Sequence, residues 1–397
     1  MNYSFSQKVS GLKPSAIREI LKHTSDPSVI PFAAGNPAPD AFPIEMIREI
    51  SAKLIQENPI LALQYNITEG YAPLIEYLKN DLKAKNCFNP DTDELIITSG
   101  AQQSVELSCK VLCDEGDAII SESPSFIGSL NSFRSYNVNL VGVEMENDGI
   151  NIEKLEKALK ETKNVRLIYV IPNFQNPTGR TMSLEKRKAV YELACRYNVI
   201  IIEDNPYGDL RFDGEDVPSI KEFDTQGRVI HVRSFSKVLA PGLRVGYCSA
   251  PKDIIQKIVV CKQVADVHTN IWAQAVCYEF LKSVNMDEHL GKLRNIYRHK
   301  YQLLADGIAK HFSSKIKCEP VQGGLFMWAS LPSDCDVMGF CTRAVKEVGV
   351  AVVPGSAFAI HEGECTDSFR MNFSTPSDEQ IIRGCELLGD FSKKLFS

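Results

Sequence analysis

Ser234-Phe235-Ser236-Lys237-Val238-Leu239-Ala240-Pro241-Gly242-Leu243-Arg244-Val245-Gly246 comes directly after an apolar run, Val229 to Val232, that reads as a buried strand. A lysine at a strand end, flanked by small hydroxyls, is on its own an ordinary solvated charge. A second cation changes its meaning: Arg244 stands seven residues on, beyond a Pro-Gly turn. The hydroxyls of Ser234 and Ser236 together with one guanidinium can bind a dianionic phosphate through charge-assisted hydrogen bonds. The Lys237 amine is then free to react with an aldehyde.

Outward from this stretch, apolar strand-like runs alternate with helical patterns. The strands are expected at Glu94–Thr98, Ala118–Ser121, Asn139–Val143, Val165–Val170, Val199–Glu203, Arg228–Val232 and Val245–Ser249, with helices such as Gln102–Cys113 and Leu184–Tyr197 between them. Near-continuous hydrophobic strands with crossover helices predict an α/β fold whose mostly parallel, seven-stranded sheet is covered on both faces. From Met286 the character changes. A long charged helix, Asp287–His311, leads through Gly323-Gly324-Leu325-Phe326-Met327-Trp328 into shorter α/β pieces. The expected organisation is an N-terminal arm with a substrate-covering helix (1–45), a large domain (46–285) and a smaller α+β domain (286–397) joined in space by part of that arm.

Ligands in open α/β sheets bind where strands give way to loops, and three more stretches fall there. Thr98-Ser99-Gly100-Ala101-Gln102-Gln103 runs from a strand through a glycine turn into a helix, whose first N–H groups form a natural phosphate cradle. Pro172-Asn173-Phe174-Gln175-Asn176-Pro177-Thr178-Gly179 comes just after a buried strand, and Glu203-Asp204-Asn205-Pro206-Tyr207 ends another. Taken singly, these read as a capped helix, a Pro/Gly turn and a helix-capping carboxylate.

In this order the four motifs resemble those of the fold-type-I, pyridoxal-phosphate-dependent aminotransferases of class I/II. The segments Ser15–Ile20, Phe32–Pro37, Leu63-Gln64-Tyr65 and Glu69-Gly70-Tyr71 are similar to the N-terminal third of the 2-aminoadipate and kynurenine aminotransferase group. The resemblance spans essentially the whole chain. It implies that Lys237 holds pyridoxal 5'-phosphate as a Schiff base and then carries a proton as general base and acid. It implies Asp204 at the ring nitrogen, Tyr207 and Asn176 at the phenolic oxygen, and Phe126 stacked on the ring. The phosphate would rest on Ser234, Ser236, Arg244 and the turn Gly100-Ala101-Gln102, with Tyr65 reaching it from the neighbouring subunit of a homodimer. His268-Thr269-Asn270 resembles another stretch shared across that interface.

For the substrate, the resemblance implies Arg370 on the α-carboxylate, Asn176 beside it, and Gly35 and Asn36 in a covering loop. Arg18 matches the position that pairs with a distal carboxylate. The implied reaction is transamination of a 2-aminoadipate, aromatic or branched-chain amino acid with a 2-oxo acid, 2-oxoglutarate being the expected acceptor. Two positions depart from the family pattern. Phe126 stands where many relatives have tyrosine, and Ala101 where close relatives place a hydroxyl, so one phosphate contact fewer is expected. A lyase or decarboxylase could use the same lysine and aspartate. A cofactor-sensing regulator domain is the third reading, but the pattern begins by Pro14 and no DNA-binding module is expected ahead of it.

Composition narrows the partners. A formal net charge of −6 over 397 residues argues against nucleic acid or an anionic membrane as the main partner. No apolar run has bilayer-crossing length, and Met1 to Ser10 lacks a signal-peptide core. The twelve cysteines are scattered, without C-x-x-C or zinc spacing. They read as reduced thiols of a cytoplasmic protein with no metal site.

Overall fold

The computed structural model describes residues 3–10, 26, 28–333, 335–361, 364 and 366–396. Eight strands form the larger sheet: β1 (Asp93–Thr98), β2 (Ala118–Ser123), β3 (Asn139–Glu146), β4 (Gly149–Ile150), β5 (Val165–Val170), β6 (Ile200–Asp204), β7 (Val229–Ser234) and β8 (Gly246–Pro251). Their order is β1-β8-β7-β6-β5-β2-β3-β4. Strands β3, β2, β5, β6 and β7 run parallel, and β8 is antiparallel to both β7 and β1.

The seven expected strands are all present. The eighth, β4, is a two-residue strand paired antiparallel with the end of β3, too short to leave a periodic signal in the sequence. The reversal at β8 also has a simple cause. A parallel return needs a crossover of about a dozen residues or more, usually helical. Residues 235–245 instead form a loop of short turns, at 235–239 and Pro241–Leu243, so the chain doubles back.

Helices cover the sheet where the sequence gives them an apolar stripe and a cap. Asn151 and Ser183 cap the helices Ile152–Glu161 and Leu184–Tyr197 by accepting from the backbone N–H groups of Lys154 and Lys186. Asn198, left-handed at φ 56°, ends the second of these. Ile120, Ile168, Val170 and Ile201 pack with Leu155, Val190 and Ala194 under these helices. On the flank of β1 and β8, helices Ile44–Glu57, Ala72–Ala84 and Ile271–Ser283 enclose a separate core that includes Leu74, Leu78, Ile97, Tyr247 and Phe280.

A second, antiparallel sheet combines β9 (Lys317–Cys318), β10 (Phe326–Ser330), β11 (Val353–Pro354) and β12 (Ser368–Asn372) in the order β11-β12-β10-β9. The helix Met286–His311 leads into it, and Asp378–Leu395 packs on that helix. The two sheets are not independently cored: Ile202 and Tyr207 share one apolar cluster with Phe326, Phe369 and Phe373. Residues near Ile30 join the smaller sheet's side, where the Ile30 N–H donates to Gly349 O at 2.8 Å and Ala351 N–H to Ile30 O at 3.0 Å. The chain thus threads its early segment across the seam between the sheets.

Candidate active site

Strands β2, β5, β6 and β7 of the parallel set deliver their carboxyl ends to one side, and the loops leaving them meet at the seam. There they enclose a cavity of about 390 Å³, within the usual size range of a small-ligand pocket. Its walls bring together Lys237, Asp204, Tyr207, Asn176, Phe126, Ala101, Gln102, Ser234, Ser236, Arg244, Arg370, Gly35 and Asn36.

Lys237 lies just beyond β7, and its Nζ donates to Gly35 O at 2.9 Å. Burial, helped by the nearby cations Arg370 and Arg244, pushes its amine down from 10.5 to about 8. Asp204 closes β6 and is buried. The Tyr169 hydroxyl donates to its Oδ2 at 2.8 Å, whereas Oδ1 is buried with no partner. Burial pushes this carboxyl up to about 6, and the Tyr169 bond pulls against that rise. Tyr207 is also buried, and its hydroxyl is raised above 10.0 by burial and by Asp204. Asn176 Nδ2 lies 3.5 Å from that hydroxyl.

The phosphate-type cradle is assembled from two strand ends. Ser234 Oγ donates to Ser236 Oγ at 2.9 Å, and Arg244 Nη1 reaches Ser236 Oγ at 3.4 Å while Nη2 reaches Ser99 O at 3.3 Å. Gly100 is required here. Its φ is +81°, and a Cβ would sit 2.3 Å from Arg244 Nη2. The helix Ala101–Leu112 starts at this turn, so its first N–H groups lack helical partners. The Gln102 side chain is committed elsewhere, to Gly128 O at 2.9 Å and Ser132 Oγ at 2.7 Å. Phe126 precedes the helix Ile127–Arg134, and Gly128 makes room for its ring, since a Cβ would fall 2.6 Å from it.

Arg370 stands on β12 of the other sheet and is buried. Its Nη1 donates to Asn176 Oδ1 at 2.9 Å, and Nη2 to Ala33 O and Ala34 O at 2.9 and 3.1 Å. The guanidinium carbon lies 4.2 Å from the Phe326 ring centre and 4.9 Å from that of Phe358, an arrangement that favours a cation held flat against aromatic faces. Burial lowers it to about 10, so it stays charged at neutral pH. Arg370 Nε is buried without a partner.

Among the described residues, two of the expected ones, Gly100 and Tyr65, are not part of the cavity wall. Tyr65 is 80% exposed, edge-on to the His268 ring at 5.9 Å, and does not line it. Arg18 lies outside the described residues. Conversely, sequence reasoning missed Tyr169, Ser129, Phe326 and Phe358. Tyr169 left one signal, a lone hydroxyl-bearing residue in an aliphatic strand. Phe358 left none, because its place beside Arg370 depends on tertiary packing.

These donors fit pyridoxal phosphate. An amine lies in a cavity beside a buried carboxylate oxygen with no partner, and a cation-and-hydroxyl cradle lies at a helix start. Among the described residues no cluster of His, Cys, Asp or Glu could hold a metal ion, and no helix is long and apolar enough to cross a membrane.

Comparison with known proteins agrees with this chemistry. Residues 28–388 match the family "Aminotransferase class I and II". The chain is 36% identical over 394 residues to aromatic-amino-acid aminotransferase 1 of Thermococcus litoralis, covering 98% of this chain and 94% of that one. A crystal structure of Pyrococcus horikoshii kynurenine aminotransferase in complex with PMP superposes with a TM-score of 0.94 at 34% identity, covering 99% and 98% of the two chains. The α-aminoadipate aminotransferase LysN of Thermus thermophilus, complexed with N-(5'-phosphopyridoxyl)-L-leucine, superposes with a TM-score of 0.90 at 34% identity over 98% and 97%. The chain belongs to the class I and II aminotransferases and is a pyridoxal-phosphate-dependent transaminase of fold type I.

Proposed function

We propose that this enzyme moves the α-amino group of an aromatic, branched-chain or 2-aminoadipate-type amino acid to a 2-oxo acid, with 2-oxoglutarate as the acceptor. Bound pyridoxal phosphate supplies an electron sink for charge released at the substrate's α-carbon. Lys237 anchors the cofactor at rest and afterwards carries the proton to and from the α-carbon. Asp204 keeps the ring nitrogen protonated, and Tyr207 with Asn176 donates to the phenolic oxygen. Ser234, Ser236, Arg244 and the turn Gly100-Ala101-Gln102 seat the phosphate, and Phe126 lies on the ring. Arg370 grips the α-carboxylate, with Asn176 and Gly35 beside it.

One observation carries this reading. The cavity that contains the Lys237 amine is also lined by the two residues bearing the buried, unpartnered atoms Asp204 Oδ1 and Arg370 Nε. Unpaired buried polar groups are disfavoured unless a ligand completes them. A ring nitrogen and a carboxylate supply the missing partners. An arginine that keeps the carboxylate in place favours breaking the C–H bond over decarboxylation.

The walls Ala33, Ile127 and Phe326 suit an aromatic or branched side chain. Acidic substrates would draw on Arg18. A homodimer is supported by the apolar residues left exposed around Tyr65, namely Ile60, Leu63, Ile67, Val264 and Val267. Tyr65 and the stretch from His268 would then serve the partner's site. A cytoplasmic setting is supported by the unpaired cysteines. The division into an arm, a large domain and a smaller domain near residues 45 and 285 remains our proposal for how the two sheets are partitioned.

The test is product formation. Single amino acids incubated with holoenzyme and 2-oxoglutarate should yield glutamate, aromatic donors ranking high. Arg18→Ala should weaken acidic donors selectively, and an unchanged ranking refutes the distal-carboxylate role. Release of CO2 or ammonia without glutamate refutes transamination with this acceptor.

A further inference from the structure

Strand β5 lies between β2 and β6, and of its four buried residues Leu167, Ile168 and Val170 are what such a strand calls for. Tyr169 is the exception. It is fully buried, and a phenylalanine would fill nearly the same volume without a hydroxyl to satisfy. Tyr169 pairs in register with Ile202 of β6, and Asp204 lies two residues further along, on the same face of that strand. The phenol therefore reaches along the sheet face to the carboxylate, at 2.8 Å.

A second contact fixes the direction of that bond. Ser129, on the helix Ile127–Arg134, donates to the Tyr169 oxygen at 2.8 Å. One turn further along the same helix, Phe133 packs edge-on against the Tyr169 ring, with centres 5.4 Å apart. A phenol has one hydrogen. With its oxygen accepting from Ser129, that hydrogen is committed to Asp204 Oδ2. The other carboxylate oxygen, Oδ1, is left buried and unpartnered.

We propose that Tyr169, oriented by Ser129, is a positioning residue that commits one oxygen of Asp204 and leaves the other to meet the pyridine nitrogen of the cofactor. The inference rests on Asp204 being the carboxylate that faces that nitrogen. Three titratable groups face Asp204: Tyr169 from β5, Tyr207 from the loop after β6, and Glu122 from β2. Glu122 is buried, and burial with the nearby Asp204 pushes it up to about 8, so it is mostly neutral at pH 7. Asp204 is then the one carboxylate charge in this group, and the Tyr169 bond acts directly on it.

The experiment compares Tyr169→Phe, Ser129→Ala and Asp204→Ala as holoenzymes. Cofactor dissociation constants are measured across pH, together with kcat/KM profiles and the isotope effect with an α-deuterated amino acid. Losing one hydrogen bond to a charged group should weaken cofactor binding by Tyr169→Phe roughly tenfold. The loss should be greater in acid, because the carboxylate becomes easier to protonate. The acid limb of kcat/KM should move to higher pH and the isotope effect should grow, with KM for the amino acid unchanged. Ser129→Ala should shift each quantity the same way by less, and it carries the test alone if Tyr169→Phe does not fold. An equal loss at every pH with unchanged cofactor affinity, or no change at all, overturns the proposal. If Asp204→Ala is also without effect, the Asp204 assignment itself fails. If Asp204→Ala is severe while Tyr169→Phe is silent, only the positioning role fails.

Discussion

In an Asp204→Asn variant the carboxylate's charge is gone, while the shape of the side chain and an acceptor for the Tyr169 hydroxyl remain. Without cofactor, the native Asp204 sits buried with one oxygen unpartnered, and its carboxyl is raised from 3.8 to about 6. A raised folded value means that the ionised form is less comfortable in the fold than in the unfolded chain. By linkage the rise corresponds to roughly 3 kcal/mol of destabilisation at neutral pH. The penalty is full above the folded value near 6, fades as pH falls through it, and vanishes below 3.8. With an unfolding entropy of about 2 cal/mol/K per residue, the apo variant should melt about 3–4 °C higher than the wild type. Melting curves of both apoproteins at equal concentration test this near pH 7.5 and again near pH 4, where the difference should have largely closed. With cofactor bound the order should reverse, because the asparagine offers the ring nitrogen no negative charge. An apo variant that melts at or below the wild type near neutral pH would refute the claim that the site holds an uncompensated charge.

The remaining predictions concern cofactor loading. Because the Lys237 amine is held near 8, the rate at which apoprotein takes up pyridoxal phosphate should climb with pH through a midpoint near 8 and level off about one unit above it. Arg370→Gln should move that midpoint upward by removing a nearby cation, and a midpoint near 10 in the wild type would contradict the reading. Ala101→Ser should restore a hydroxyl at the cradle and slow cofactor loss by roughly two- to tenfold, the effect of one hydrogen bond. Dissociation rates of the holoproteins measure this.

Most of the fold was legible because its signal is local. The strands β1, β2, β5, β6, β7 and β8 are short, mostly buried hydrophobic runs, and β3 alternates buried with exposed residues; both patterns read the same in isolation as in the sheet. What escaped depends on geometry between elements. Strand β4 is two residues long, and the reversal at β8 is set by the length of its connection. The cavity lining was readable where a strand end carries chemistry, as at Asp204 and in the stretch from Ser234 to Arg244. It was not readable where a residue reaches the site only through packing between elements. Phe326 and Phe358 bracket Arg370 only because β10, β12 and the turn Gly355–Phe358 converge. Ser129 gains meaning only through a tyrosine forty residues on. Arg18, the residue on which acidic substrates would depend, falls outside the described residues.

Lys237 as the covalent anchor is the central claim. Holoenzyme reduced with borohydride, digested and analysed by mass spectrometry should carry one phosphopyridoxyl adduct, on the peptide containing Lys237, and a Lys237→Ala protein should carry none. An adduct on a different lysine, or an unmodified Lys237 peptide from coloured, active enzyme, would contradict it.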